Sequence, residues 1–299
     1  MKTEKRLIKR NIKLFFADKG LFFTSLITPL ILLVLYATFL AKVYRDSFAA
    51  PLAGFNISEE ILNGLVGGQL MSSLISVTSI TVAFCSNMLM VQDKFTGMAR
   101  DMAVTPVKKY APAISYYAAT FAVTMMISLV AIAGGCIYIA ATGWYMSVSD
   151  VLLFILDTFI LVMFGTALSS LINFFLSSQG QISAVGSIIS SVYGFICGAY
   201  MPISQFPAAL QKVVCFLPGT YGTSLLRNHA MRGSIEALRD AGVTEEHIAA
   251  IKDITDCNVE VFGNTVEIWQ MYLYLGVCIL VILGIYVALN IFKNKERAK

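Results

Sequence analysis

Apolar residues in this chain come in long blocks, and a block of about 20 residues in helical form, rising about 1.5 Å per residue, spans the roughly 30 Å hydrocarbon core of a bilayer. Six blocks can be drawn, over residues 21–40, 65–91, 113–141, 151–176, 182–200 and 268–292. Unpaired backbone cannot face lipid, so such blocks cross as helices. The expected fold is all-α, with a six-span transmembrane domain over residues 20–292. Composition agrees: 57% of the residues are hydrophobic and 13% charged, with a mean hydropathy of +0.74, against roughly 25% charged in a soluble domain.

The segments between the blocks set the expected topology. Residues 2–18 place Leu7, Ile8, Ile12, Phe15 and Phe16 at helical spacing among Lys5, Arg6, Lys9, Arg10 and Lys13, the pattern of a helix lying in the membrane interface. A disordered basic tail is the alternative reading, and it would expose the Phe15-Phe16 pair to no purpose. Residues 1–19 are therefore expected as an interfacial helix, and no cleavable signal is expected, because charged residues lead into a block too long for a signal core. Fifteen of the 22 Lys and Arg residues lie in the N-terminal segment, residues 92–111 and the tail 293–299, all on one side of a six-span scheme. The positive-inside rule then puts both termini in the cytoplasm of a multi-pass plasma-membrane protein. A net charge of +4 gives no footprint for nucleic acid.

Two further stretches are expected outside. Residues 202–233 are half apolar but interrupted by Pro202, Pro207 and Pro218, which suits re-entrant broken helices shielded by protein. Residues 234–266 carry Glu236, Asp240, Glu245, Glu246, Asp253, Asp256 and Glu260 and read as an external helical cap, with Thr244 placed to cap a helix running through Ile254. Cys85, Cys136, Cys197 and Cys278 lie in apolar blocks. Cys215 and Cys257 fall outside them, where a disulfide and two free thiols are both open.

Catalytic chemistry has little support. There is no GxxxxGK[ST] and no Gly-Lys dipeptide, hence no phosphate-binding loop. His229 and His247 have no Cys/Asp pattern suggesting zinc, and GxSxG is absent. Two features stand out instead. Asp157 places a carboxylate inside the fourth block with no basic partner evident in the spans, either on a transport path or in a structural or interfacial hydrogen bond. Between the second and third blocks, Phe95, Met98, Ala99 and Met102 form one apolar helical face with Lys94, Arg100 and Asp101 elsewhere, and Pro106 stops the helix. Spacing alone leaves open whether that face rests on lipid or docks in the groove of a soluble partner.

At these residues the sequence resembles a known family. Asp93-Lys94-Phe95-Thr96-Gly97 followed by Thr105-Pro106-Val107 looks like the coupling segment of permease subunits of ABC transporters of the type-2 exporter class. Gly198 to Pro207, then Leu217-Pro218-Gly219-Thr220-Tyr221, Arg227 and Gly233, are similar to its re-entrant external helices. Arg10-Asn11, Asp18-Lys19 and Pro29 match its interfacial helix and first span. The resemblance covers all but residues 234–266. Asp93 stands where Glu is more usual, Leu217 where Asn is common, and 234–266 is longer than usual.

The resemblance implies a permease that is not itself an enzyme and holds no cofactor, ATP and Mg being bound by a separate ATPase subunit. It implies a second permease chain, identical or not, and contact with membrane lipid. Coupling to the ATPase would fall to Asp93, Lys94, Phe95, Gly97, Met98, Arg100, Met102 and Pro106. The translocation path would involve Ser73, Ser76, Asn87, Asp157, Ser190 and Tyr193, and the re-entrant gate Gly198, Pro202, Pro207, Pro218, Tyr221 and Arg227. Efflux of a drug, toxin or peptide-like substrate is the first expectation, and export of a polysaccharide or lipid-linked glycan the second. An ion-coupled secondary transporter using Asp157 is the competing class, weakened by the lack of a second clear intramembrane carboxylate and of symmetric broken helices.

Overall fold

A computed structural model describes residues 2–105, 107–108, 110–261 and 263–296. Helix α1 (Lys2–Ala17) meets α2 (Lys19–Leu35) at Asp18, whose carboxylate accepts from Leu21 N at 3.0 Å and caps the second helix. Helix α2 does not end at residue 40. It passes through a π-helical turn, Tyr36–Leu40, into α3 (Ala41–Ala49), so that one continuous helix runs over Lys19–Ala49. The charges of Lys42, Arg45 and Asp46 make this extension look like a loop, but every fourth residue from Thr28 onward, Thr28, Leu32, Tyr36, Leu40, Tyr44 and Phe48, is buried. In an α-helix a four-residue spacing drifts around the axis by about 40° per step. The π-turn adds one residue to a turn and takes back about 100° of that drift, which narrows the stripe.

Helix α4 (Glu59–Phe95) is the axis of the molecule. Ser58 caps it, and its most apolar stretch is completely enclosed by other helices. Around it stand α2, α6 (Ala111–Thr142), α7 (Val148–Phe175), α8 (Gln179–Ile196) and α10 (Pro218–Ala230). A capping box between Ser147 and Asp150 starts α7. Small residues let these helices close up, as expected where packing rather than hydrophobic contrast drives association. A Cβ on Gly165 of α7 would stand 2.6 Å from the Ser79 carbonyl oxygen of α4. Helix α1 packs along α6, and α13 (Ile268–Glu296) covers α7 and α10.

The fold is all-α in its body, and five helices are long and apolar enough to cross a membrane: Lys19–Ala49, Glu59–Phe95, Ala111–Thr142, Val148–Phe175 and Ile268–Ile291. Helix α8 is not one of the five. Gln179, Gln181 and its serines 183, 187, 190 and 191 lower its hydropathy, and it stops at Ile196, short of residue 200, ahead of Gly198 at φ +71°.

Beyond α8 come a 3-10 turn (Ile203–Gln205), α9 (Ala208–Val214), α10, α11 (Arg232–Asp240) and α12 (Glu245–Ile254). A hairpin of β1 (Glu260–Val261) and β2 (Asn264–Thr265), absent from the sequence expectation, then leads into α13. Helix α12 begins after Thr244 as expected, but the Thr244 hydroxyl meets His247 Nδ1 at 2.6 Å and makes no capping bond to the backbone. Glu245 and Glu246 in the first turn complement the helix dipole instead. All six cysteines are free thiols. Cys257 is 2% exposed, and burial pushes its thiol up to about 11.

Candidate functional site

At its C-terminal end α4 is held from two sides. The Arg10 guanidinium of α1 donates to Asp93 through Nη1 at 2.7 Å and Nη2 at 3.0 Å, and Tyr116 Oη of α6 donates to the same carboxylate at 2.5 Å. The hydrogen bond to Asp93 raises the Arg10 pKa further. Lys94 turns the other way. Its Nζ donates to the carbonyls of Asn173, Phe174 and Leu176 at 2.8, 2.8 and 2.9 Å, neutralising the negative end of α7 where helix carbonyls lack intrahelical partners.

Gly97 then adopts φ +90°, a conformation open to glycine at little cost, and breaks the chain between α4 and α5 (Met98–Val104). The expectation of one amphipathic helix through Asp93 to Thr105 is corrected here. Asp93 and Lys94 belong to α4 and are engaged within the protein, while Gly97 serves the break between the helices. Phe95 at 46%, Met98 at 41% and Val104 at 87% are exposed, Met102 is half-buried beside Leu89, Met90 and Tyr116, and Arg100 is exposed. Pro106 lies outside the described residues.

The polar residues of α4 point inward. Ser72, Thr78, Ser79 and Thr81 donate to carbonyls one turn back on the same helix, which satisfies them locally. Ser76 instead bonds Thr223 of α10 at 2.5 Å, and Asn87 donates to Ser169 and Ser170 of α7 at 3.2 and 2.9 Å. Ser73 and Tyr193 are buried with unpartnered hydroxyls, Tyr193 lying against Gly219. Of the six residues assigned to a path, Ser190 alone faces a groove at the surface. That groove, about 1030 Å³, runs between α2, α4 and α8 and is lined by Thr24, Thr28, Ser183, Ser187 and Ser190 among others. A second crevice of about 850 Å³, almost wholly apolar, lies between α2, α4 and α6 and includes Leu30, Met71, Val130 and Gly135.

Asp157 does have a basic partner. Its Oδ2 lies 2.6 Å from His229 Nδ1 of α10, and Tyr272 Oη of α13 donates to its Oδ1. Asp157 is 1% exposed, so the carboxylate ties three helices together inside the protomer. His229 and Tyr272 stand 72 and 115 residues away in sequence, with no local pattern to announce them.

The residues from Gly198 to Arg227 form one hydrogen-bonded unit. Arg227, 1% exposed, donates through Nη1 to Asp256 Oδ2 at 3.0 Å and through Nη2 to the Gly198 carbonyl at 2.6 Å. Asp256 Oδ2 also accepts from Ile203 N at 2.9 Å. Pro202 precedes the 3-10 turn, Pro207 precedes α9, and Pro218 opens α10, where its missing N–H costs nothing. Tyr221 packs on Tyr274 with ring centroids 4.6 Å apart. Asp256 was seen in sequence only as one external acid among several.

No group of three or more His, Cys, Asp or Glu side chains that could hold a metal ion is present among the described residues. The arrangement is one of helices, clamps and grooves. A family model described as ABC-2 type transporter matches residues 4–230 of the 299. No curated protein matches the chain. The chain belongs to the ABC-2 type transporter family, and is by that membership a membrane-spanning permease component of an ABC transporter.

Proposed function

From that membership we propose that the chain is the permease half of an ATP-driven exporter, six-spanning with α8 as the additional span and both termini in the cytoplasm of a plasma-membrane protein. Its energy comes from a separate ATPase subunit, which binds ATP and Mg. The observation that carries the reading is the end of α4. Phe95 and Met98 present apolar surface at the Gly97 break, while Asp93 and Lys94 lock the same turn to α1 and α7. A push on α5 by a docked ATPase is thereby delivered to α4 and to both neighbours at once. Apolar anchors of this size contribute roughly 1.5–3 kcal/mol each when fully buried.

A second permease chain, identical or not, would close the groove between α2 and α8. The serine face of α8, too polar to favour lipid, then lines a path between the chains, with Ser190 on it. The gate reading for Gly198, Pro202, Pro207, Pro218, Tyr221 and Arg227 rests on the continuity of their segment with Tyr200 and Met201, which line the groove. The broad apolar crevices favour a drug, toxin or peptide-like substrate with apolar surface over a polysaccharide or lipid-linked glycan. The ion-coupled reading is disfavoured because Asp157 is enclosed by its own helices and already has two partners.

The test is co-purification. Phe95→Asp with Met98→Asp should release the ATPase and abolish transport while the permease still inserts and melts cooperatively. Undiminished recovery of the ATPase would show that the helix merely rests on lipid.

A further inference from the structure

The apolar crevice between α2, α4 and α6 ends beside a row of positive charge. Its lining includes Phe16 of α1 and Phe22 of α2, whose rings stand 5.8 Å apart. Lys13 lies one turn before Phe16, and Lys9 and Lys5 precede it at four-residue steps, so all four share one face of α1. The stems of these lysines, with Ile8 and Ile12, wall a shallow trough of about 370 Å³. Ile12 packs on the same buried cluster as Phe22 and Ile127, and the last two line the crevice. Trough and crevice are thus neighbours on one surface.

The charge of that row is uncompensated. Arg10 of the same helix is pinned to Asp93, but no ion pair holds Lys5, Lys9 or Lys13 among the described residues. Glu4, the single acid of α1, does not line the trough. No carboxylate lines the crevice either.

Depth and chemistry together select the occupant. Along α2 the crevice reaches from Phe22 to Ala41, about 28 Å at 1.5 Å per residue, against the ~30 Å hydrocarbon core of a bilayer. Its rim is open, Leu30 being 52% and Val130 74% exposed. The Thr78 hydroxyl on its wall already donates to the Leu74 carbonyl at 2.6 Å. Water does not fill an apolar space of this kind, whereas a hydrocarbon chain gains dispersion contacts with every wall. A second copy of the chain is a poor occupant, because a two-fold contact over this face would bring both lysine rows to the same end of one interface. What fits is an anionic head joined to a long alkyl chain. We infer that this surface binds an anionic phospholipid of the surrounding membrane, with its phosphate on the lysine row of α1 and an acyl chain in the crevice. The site is separate from the groove beside α8, with which it shares no lining residue.

Native mass spectrometry of the assembled complex, equilibrated in detergent with phosphatidylglycerol or with phosphatidylcholine, tests this. The parent should retain phosphatidylglycerol in preference. A lysine close to anionic lipid is worth about fivefold in affinity, so Lys5→Gln, Lys9→Gln and Lys13→Gln together should lower that retention by about tenfold or more and leave phosphatidylcholine unchanged. Gly134→Phe probes the chain. Gly134 lines the crevice and a Cβ there meets nothing within 4 Å, so the ring enters the space without displacing protein, and replacing a helical glycine favours the helix. Retention of phosphatidylglycerol should fall severalfold in this variant too. Glycerol phosphate, a head without chains, should not compete. Equal retention of the two lipids by the parent, or undiminished phosphatidylglycerol in the lysine variant or in Gly134→Phe, overturns the inference. Competition by glycerol phosphate does so as well, since it would reduce the site to one for a free anion.

Discussion

Arg10 and Asp93, 83 residues apart, meet in a fork of two parallel hydrogen bonds at 2.7 and 3.0 Å, and Tyr116 adds a third donor to the same carboxylate. Asp93 is 5% exposed, while the Arg10 side chain is 27% exposed and can swing into water if released. Asp93→Ala should therefore cost about 1–3 kcal/mol, less than a fully buried pair. Arg10→Lys should fall between, because a point charge cannot reproduce the fork. Denaturant melts give the cost. Transport-coupled ATPase activity should drop in both variants, and parent-level coupling in Asp93→Ala would remove α1 from the transmission route.

Asp157, His229 and Tyr272 should behave as a unit. Asp157→Asn and His229→Gln are each expected to lower transport while ATP hydrolysis by the assembled complex persists. The double variant should lose little more than either single one, because the two changes break one interaction. Vesicle transport assays on the three variants decide the matter. Losses that multiply would mean that the two residues act separately.

The Arg227 and Asp256 pair is almost wholly enclosed, its side chains 1% and 8% exposed. Arg227→Ala should cost about 3–5 kcal/mol by leaving a buried carboxylate alone, whereas Arg227→Met with Asp256→Leu should cost far less. Burial pushes the Asp256 carboxyl above its ordinary 3.8, against the pull of Arg227. The folded protein then holds a proton that the unfolded chain has lost. The stability this group contributes is full below 3.8 and declines as pH rises through the folded-state value. Melts from pH 3 to 7 should show that decline in the parent and its loss in Asp256→Asn.

Topology is best read at engineered positions, since native Cys257 is enclosed. In a chain cleared of cysteine, Asp240→Cys should react with a membrane-impermeant maleimide on intact cells, and Thr105→Cys only after permeabilisation. Both parent residues are exposed. The reverse pattern would invert the proposed orientation.

How much of this was legible follows from range. The apolar blocks predicted the long helices well, because hydropathy over about 20 residues is a local quantity. Local rules misled wherever one side of a helix spoke for both. Lys42, Arg45 and Asp46 suggested a loop, although Tyr44 and Phe48 between them continue the buried stripe that begins at Thr28. The apolar face Phe95, Met98 and Met102 was visible, but the break at Gly97 was not, because spacing carries no information about a left-handed residue. The partners of Asp157 and Arg227 could not be found from sequence, since tertiary packing alone brings α7, α10, α13 and the residues after α12 together.

The enclosure of α4 sets the order in which the molecule can be made. During synthesis this span leaves the ribosome after α2 but before α6, α7, α8 and α10, so most of the helices that will wrap it do not yet exist. Its serines, threonines, Gln69 and Asn87 are enclosed inside the finished bundle, yet they make it the least hydropathic of the five long helices. The nascent segment therefore has a weak hold on lipid and depends on the insertion machinery, or on α2 alone, until its later neighbours arrive. Changes that make α4 more polar should thus act first on membrane insertion and yield, ahead of any effect on the assembled transporter.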